Sequence, residues 1–143
     1  MEAFQTIVSP DIVDVLRAEH LRIRQLCDDV RDQKRGALAA LRHAVHLHQL
    51  GESAVAHPAV RNSGPAGDAI ARACQAQGAE LERTVTELER RGFDDGLAAV
   101  NRALLDHVTR QERDEFPLLR RHVSTQRLHM MSGTMHDVRV MAG

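Results

Sequence analysis

The sequence has few aromatic residues. It contains no tryptophan and no tyrosine, and only three phenylalanines among 143 residues. Few rings are therefore available to stack on nucleobases or on a flavin. We expect a core built from Leu, Ile, Val and Ala, with Phe93 and Phe116 as local anchors.

An excess of charge of one sign is also lacking. Nineteen basic and 20 acidic residues leave a net charge of −1. Lys34 is the single lysine, and the arginines alternate with acidic residues instead of forming a one-sided basic stripe. This pattern argues against nucleic acid as a partner.

Long hydrophobic runs are absent too. No apolar stretch approaches the roughly 20 residues that span a bilayer. The N-terminal residues, MEAFQTIVSPD, have neither the basic nor the apolar region of a signal peptide. We therefore expect a cytoplasmic protein with no membrane partner. The motifs of phosphate loops and nucleophile elbows are missing as well, so hydrolysis and phosphoryl transfer lack support.

An internal repeat dominates what the sequence does contain. A shift of about 58 residues relates a first predicted helix to a third, and a shift of about 59 relates a second to a fourth. The first pair aligns Ile12, Leu16, His20, Ile23, Cys27 and Val30 with Ile70, Cys74, Gly78, Leu81, Val85 and Leu88. The second pair aligns Leu38, Leu41, Val45, His48, Glu52, Val55 and Pro58 with Leu97, Val100, Leu104, His107, Gln111, Asp114 and Pro117. The chain is thus two copies of one helical hairpin.

Steps of three and four residues within these sets place each set on one face of an amphipathic helix. The spacing predicts helices over residues 10–34, 37–60, 67–91 and 95–122, with Ser9 as the first N-cap and Pro10 at the first helical position. Short links favour an antiparallel up-down-up-down four-helix bundle in a single domain, residues 1–143. A short fifth helix, about 125–139, is expected to cap one end.

Four polar residues lie in the predicted seams of this bundle, where aliphatic side chains are usual: His20, His48, Glu52 and His107. At about 1.5 Å of rise per residue, all four fall near the same level. Each would cost about 1–3 kcal/mol if buried without a partner. A divalent metal would compensate, and nitrogen with carboxylate ligands indicates iron, zinc or manganese. The alternative is a metal-free polar core in which His20 and His107 bond Glu52 and Gln111.

These motifs resemble the haemerythrin-like HHE cation-binding domain. The resemblance rests on His20 after Arg17-Ala18-Glu19, on His48-x-x-x-Glu52 followed by Pro58, and on His107 followed by Phe116-Pro117. It implies a four-helix bundle that holds two non-haem irons bridged by oxygen and carboxylates. Such domains bind dioxygen, sense nitric oxide or redox state, or repair iron centres. The resemblance also implies that His20 and His48 serve one iron, that Glu52 bridges, and that His107 serves the other iron.

Two positions depart from that pattern. Gly78 stands where a third-helix histidine is expected, and Gln111 stands where a second carboxylate is expected. We therefore predict one metal, bound by His20, His48, Glu52 and His107, with Gln111 as a weaker amide ligand. Cys74 and Glu82, one turn before and after Gly78, are alternative ligands. A further alternative is haem, admitted by the missing bulk at Gly78.

The predicted function is a metal-binding protein that senses or carries O2, NO or another small oxidant. The alternatives are a metal-free or haem-binding regulatory module with a protein partner, and an iron protein with weak peroxide-handling activity. Cys27 and Cys74 are expected as free thiols, because their predicted levels lie too far apart for a disulfide. The other histidines are predicted to lie at the surface or the bundle ends: His43, His46, His57, His122, His129 and His136.

Overall fold

The structure, a computed structural model, describes residues 10–142 and is built from helices joined by short connections. The helices are α1 (Ile12–Arg31), α2 (Ala37–Gly51), α3 (His57–Arg61), α4 (Pro65–Thr86), α5 (Leu88–Arg91), α6 (Phe93–Arg110), α7 (Phe116–His122) and α8 (Thr125–Ala142). Two π-helical turns, Glu52–Ala56 and Gln111–Glu115, join α2 to α3 and α6 to α7. Residues 10–142 contain no strand, and the predicted all-α helical bundle is confirmed. Within the same residues, no helix has both the length and the apolar character needed to cross a membrane.

The first helix starts later than predicted. Asp11 is its N-cap: the Asp11 carboxylate accepts a hydrogen bond from the Asp14 amide at 2.9 Å, and the Asp14 carboxylate accepts one from the Asp11 amide at 3.1 Å. This reciprocal pair satisfies two amide donors of the first turn. Pro10 precedes the helix, so its predicted place inside the first turn is wrong, and Ser9 lies outside the described residues.

Buried apolar side chains form two clusters along the bundle. The first combines the C-terminal parts of α1 and α4 with the N-terminal parts of α2 and α6, and it includes Ile23, Leu41, Leu81, Val85, Val100 and Leu104. The second combines the N-terminal parts of α1 and α4 with α3, α7 and α8, and it includes Ile12, Leu16, Val60, Phe116, Leu119 and Met135. The polar seam residues lie between the two clusters.

Helix α8 is longer than predicted and does more than cover one end. It runs for 18 residues, and its buried side chains Leu128, Met131 and Met135 join the second cluster. Its last turns continue along α1 and α2, where Arg139 donates to the Leu47 carbonyl at 2.9 Å. Gly51 permits this approach, since a Cβ there would lie 2.6 Å from Met135 Cγ and from Arg139 Nη2. The absence of a side chain at Gly51 therefore allows α8 to lie against the C-terminal end of α2.

The two π turns occupy equivalent positions in the repeat, and each lies just before a proline. The His57 amide donates to the Glu52 carbonyl, and the Phe116 amide donates to the Gln111 carbonyl. Pro58 and Pro117 have no amide hydrogen, and in a regular α-helix a proline ring clashes with the carbonyl four residues earlier. A wider turn relieves that clash. One additional residue per turn also rotates the following residues by about 100° around the helix axis.

Candidate metal centre

The structure brings the four predicted seam residues together. His20, His48, Glu52 and His107 each offer a ligand atom, and these atoms lie within 4.8 Å of one another. All four residues are at most 3% exposed. They come from α1, α2, the first π turn and α6, so the site needs both hairpins. The group has the composition of a nitrogen and carboxylate site that could hold a metal ion.

Glu52 lies at the centre of this group. Its Oε1 atom is 3.0 Å from His107 Nε2, and its Oε2 atom is 3.1 Å from His48 Nε2. The two Nε2 atoms are 3.4 Å apart. Two nitrogens bound at about 2.1 Å to one ion at a tetrahedral angle have this same separation, about 3.4 Å. The spacing of the two imidazoles therefore fits a shared ion.

Carboxylates behind two of the imidazoles set their orientation. His48 Nδ1 donates to Glu19 Oε1 at 2.8 Å, and His20 Nδ1 lies 3.2 Å from Glu112 Oε2. A neutral imidazole whose Nδ1 hydrogen is held by a carboxylate has its Nε2 lone pair free for a metal. Metal-binding histidines commonly have this outer carboxylate. Glu19 and Glu112 were not predicted as site residues, although each is adjacent in sequence to a position that was, His20 or Gln111.

Two buried atoms of the group are left without a hydrogen-bond partner. They are Glu52 Oε2, whose contact with His48 is close but poorly directed, and His107 Nδ1. An unpaired buried polar atom costs about 1–3 kcal/mol. A cation beside Glu52 would satisfy its free oxygen, so the donor set fits a metal ion.

The pKa shifts follow from burial and from the charges within the group. Burial, together with the neighbouring His48, lowers the pKa of His20 to about 4. Burial opposes protonation of His48 as well, but Glu52 and Glu19 outweigh it and raise the pKa of His48 to about 9. Burial alone would raise the pKa of Glu52, yet His48 and His107 hold it well below its usual value. Without a metal, the group at neutral pH therefore contains an ionised Glu52, a protonated His48 and a neutral His20.

A second polar pair, which the sequence did not predict, lies one turn beyond the site. His57 Nδ1 donates to Glu115 Oε2 at 2.6 Å, and both side chains are fully buried. The prediction that His57 is a surface or end residue is wrong. It assumed a regular α-helix, whereas the π turn rotates His57 into the bundle. The clue in the sequence was Pro58, which makes a regular turn unfavourable at that point.

Gln111 connects this pair to the site. Its amide oxygen lies 2.8 Å from His20 Nε2, and its amide nitrogen donates to Glu115 Oε1 at 2.7 Å. The Gln111 amide therefore lies at the edge of the group. The bond to Glu115 determines which end of the amide faces His20.

Other predicted residues lie elsewhere. Glu82 is at the surface, where its carboxylate lies 3.0 Å from His46 Nδ1, and it does not join the group. Cys74 is buried, and burial raises the pKa of its thiol, but it does not belong to the group of ligand atoms either. Cys27 and Cys74 are both free thiols, as predicted. Phe93 is 51% exposed and is not an anchor, whereas Phe116 is buried and stacks on His20 with 5.9 Å between ring centroids.

The space expected at Gly78 is filled. A Cβ added at Gly78 would lie 2.5 Å from the amide carbon of Gln49, a residue of α2 that is only 8% exposed. The hypothesis of a bound haem depended on free volume at Gly78. Gln49 occupies that volume, so the hypothesis loses its support.

Together, the fold and the site define a helical bundle with a buried histidine and carboxylate group suited to a cation. The family model of the haemerythrin HHE cation-binding domain matches residues 11–119. The chain belongs to this family, as the resemblance of its motifs indicated. Searches of the curated proteins and of the solved structures found no significant match. Helix α8 lies beyond the matched residues.

Proposed function

We propose that this protein binds one iron ion through His20, His48, Glu52 and His107, and senses or carries O2, NO or another small oxidant there. The observation that carries the proposal is the convergence of imidazole nitrogens on Glu52, two of the imidazoles being oriented from behind by Glu19 and Glu112. Such outer carboxylates are characteristic of metal-binding histidines. Zinc and manganese use the same donor types and are the alternatives for the ion.

The protein supplies at most four strong donors, and this leaves room for an exogenous ligand. A bound iron would supply an open coordination position and redox chemistry for a small diatomic or oxidant. The residues around it restrict what can enter. All four donors are buried, and Phe116 covers one side of His20, so bulk water and large substrates are kept out.

Metal content tests the proposal directly. Protein from iron-supplemented culture should contain about one iron per chain by plasma emission. His48→Ala should lose most of it, whereas His43→Ala, an exposed position on the same helix, should keep it. The proposal fails if the wild type contains essentially no metal or if the two variants retain equal amounts. Peroxide turnover that is lost in His48→Ala and kept in His43→Ala would add a catalytic role.

A metal-free regulatory module is the second candidate, and specific contacts favour it. His107 lies 3.0 Å from Glu52 Oε1 and His20 lies 2.8 Å from the Gln111 oxygen, which are the partners expected for a metal-free polar core. Against this candidate stand the unpaired Glu52 Oε2 and His107 Nδ1. A metal-free protein whose unfolding temperature does not change on addition of Fe²⁺, Zn²⁺ or Mn²⁺ would favour the module.

A further inference from the structure

The internal repeat defines a second half-site that is changed at two of three positions. The shifts that relate the hairpins pair His20 with Gly78, His48 with His107, and Glu52 with Gln111. His20, His48 and Glu52 all belong to the buried group, whereas His107 alone represents the second half in it. Other residues of this chain therefore occupy the places of the two missing ligands.

Gln49 fills the place opposite Gly78. The Cβ of any larger residue at position 78 would lie 2.5 Å from the Gln49 amide carbon and 2.7 Å from one of its terminal amide atoms. Real Cβ atoms do not approach other atoms so closely, so a side chain at position 78 and the Gln49 amide in its present position cannot occupy this place together. Gly78 and Gln49 thus form a matched pair across the α2–α4 contact.

The Gln49 amide also contacts the central carboxylate. With its nitrogen towards the site, Gln49 donates to Glu52 Oε1 at 3.3 Å, and its oxygen accepts from the Ala79 amide at 3.2 Å. Glu52 Oε1 is the oxygen that faces His107, on the side of the second half-site. A hydrogen-bond donor held against this oxygen takes up one of its lone-pair directions, and a cation cannot use that direction at the same time.

Gln111 occupies the repeat position of the second carboxylate. Its amide nitrogen donates to Glu115 and its oxygen lies 2.8 Å from His20 Nε2, so Glu115 fixes the orientation of the amide. Two neutral amides therefore stand where the repeat would place an imidazole and a carboxylate. Neutral amides compensate little of the charge that a second divalent ion would bring into a buried site.

We propose that Gln49 is a specificity-determining residue that limits this site to a single metal ion. Its amide fills the volume left by Gly78 and occupies Glu52 Oε1, so that Glu52 serves one ion and cannot bridge two. This inference rests on the proposed metal site. It further implies that restoring the two altered ligands alone will not create a second site, because the Gln49 amide must also leave.

The test compares metal content with and without Gln49 in the same background. Gly78→His with Gln111→Glu should retain about one iron per chain, whereas adding Gln49→Ala should raise the content to about two. Adding Gln25→Ala instead, at an exposed position on α1, is the control and should leave it at about one. Two irons per chain with Gln49 intact would overturn the proposal. So would a folded triple variant that still binds one.

A second pair of variants leaves Gly78 unchanged and so avoids the bulk that Gly78→His introduces. Gln111→Glu alone should bind about one iron, and Gln111→Glu with Gln49→Ala should bind close to two. The freed Glu52 oxygen and the carboxylate introduced at position 111 can then hold a second ion, to which His107 transfers from the first. Equal metal content in these two variants contradicts the role of Gln49. Loss of metal from the wild type would instead contradict the proposed function, so the two failures can be told apart.

Discussion

At the scale of single residues, the site depends on side chains that never touch the metal position. Glu19 and Glu112 hold the Nδ1 sides of His48 and His20, and both Nε2 atoms then face inward. Glu19 is the more buried of the two carboxylates, with 24% of its side chain exposed against 39% for Glu112. Its bond to the imidazole is also shorter, so Glu19 should contribute more to metal affinity.

We predict that Glu19→Gln weakens metal binding by about 10- to 100-fold, and that Glu112→Gln weakens it less. In each variant a neutral amide replaces the carboxylate, so the full negative charge that stabilises the ligand imidazole is lost. Competition with a chromophoric chelator measures the affinity. Glu80→Gln, an exposed position on α4 that pairs with Arg83, serves as the control. Unchanged affinity in Glu19→Gln would show that its bond to His48 has no part in metal binding.

Proton release gives a second prediction at this scale. The pKa of His48 is raised to about 9 by Glu52 and Glu19, whereas that of His20 is lowered to about 4, so at pH 7 His48 is charged and His20 is neutral. A metal ligand must be deprotonated. Zinc binding at pH 7 should therefore release about one proton from His48, and this release should decline as the pH rises through about 9. Calorimetry in buffers of different ionisation enthalpy measures it, and binding at pH 7 without proton release would contradict the assignment.

At the scale of elements, the two π turns decide which residues enter the bundle. Each precedes a proline, and each changes the helical phase just beyond the site. The first turn brings His57 inward, where it meets Glu115 from the second turn at 2.6 Å. Removing one partner of such a buried pair strongly destabilises the protein, because the other charge is then left alone in the core.

We predict that His57→Ala destabilises the metal-free protein by about 3–5 kcal/mol. The internal repeat suggests the compensated variant, since it aligns His57 with Phe116 and Glu115 with Ala56. His57→Phe with Glu115→Ala should cost less than the sum of the two single changes. Denaturant unfolding of His57→Phe, of Glu115→Ala and of the double variant measures this coupling. Additive effects would show that the pair does not interact.

The same pair should make stability depend on pH. Burial opposes protonation of His57, but Glu115 outweighs it and raises the pKa of His57 above its usual 6.5. A raised pKa in the folded state means that the stabilisation is complete below pH 6.5 and is lost as pH rises through the folded-state pKa. Chelator-treated wild type should therefore lose more stability from pH 6 to 9 than the compensated variant does. An equal loss in both would exclude the pair as the cause.

At the scale of the whole molecule, α8 contacts the carboxylate that orients a predicted metal ligand. Arg139 bonds both carboxylate oxygens of Glu19, which in turn holds His48. A helix outside the matched residues 11–119 is thus two contacts away from a predicted metal ligand. Displacement of α8 and orientation of His48 should therefore be coupled.

We predict that Arg139→Ala increases amide hydrogen exchange in the last turns of α8 and lowers metal affinity by a smaller factor than Glu19→Gln does. Arg127→Ala, near the start of α8, is the matched control and should change neither quantity. Faster exchange in Arg139→Ala with unaltered affinity would show that α8 is attached but not coupled to the site.

Much of this organisation could be predicted from the sequence, because the repeat and the spacing of apolar residues are properties of regular helices. His20, His48, Glu52 and His107 were found in this way. The errors of prediction come from local departures from regular helices. The π turns bury His57 and Glu115, and the missing side chain at Gly51 allows α8 to pack along the bundle. Gln49 was not foreseen because its role depends on a contact with Gly78 across two helices, which spacing along the chain does not reveal.

X-ray absorption at the iron edge of the loaded wild-type protein tests the proposed single-iron site most directly. We predict a first shell of nitrogen and oxygen scatterers, with the outer-shell pattern of several imidazoles and without a second iron nearby. An iron–iron vector, a sulfur scatterer from Cys74 or the signature of a porphyrin would contradict a single ion held by His20, His48, Glu52 and His107.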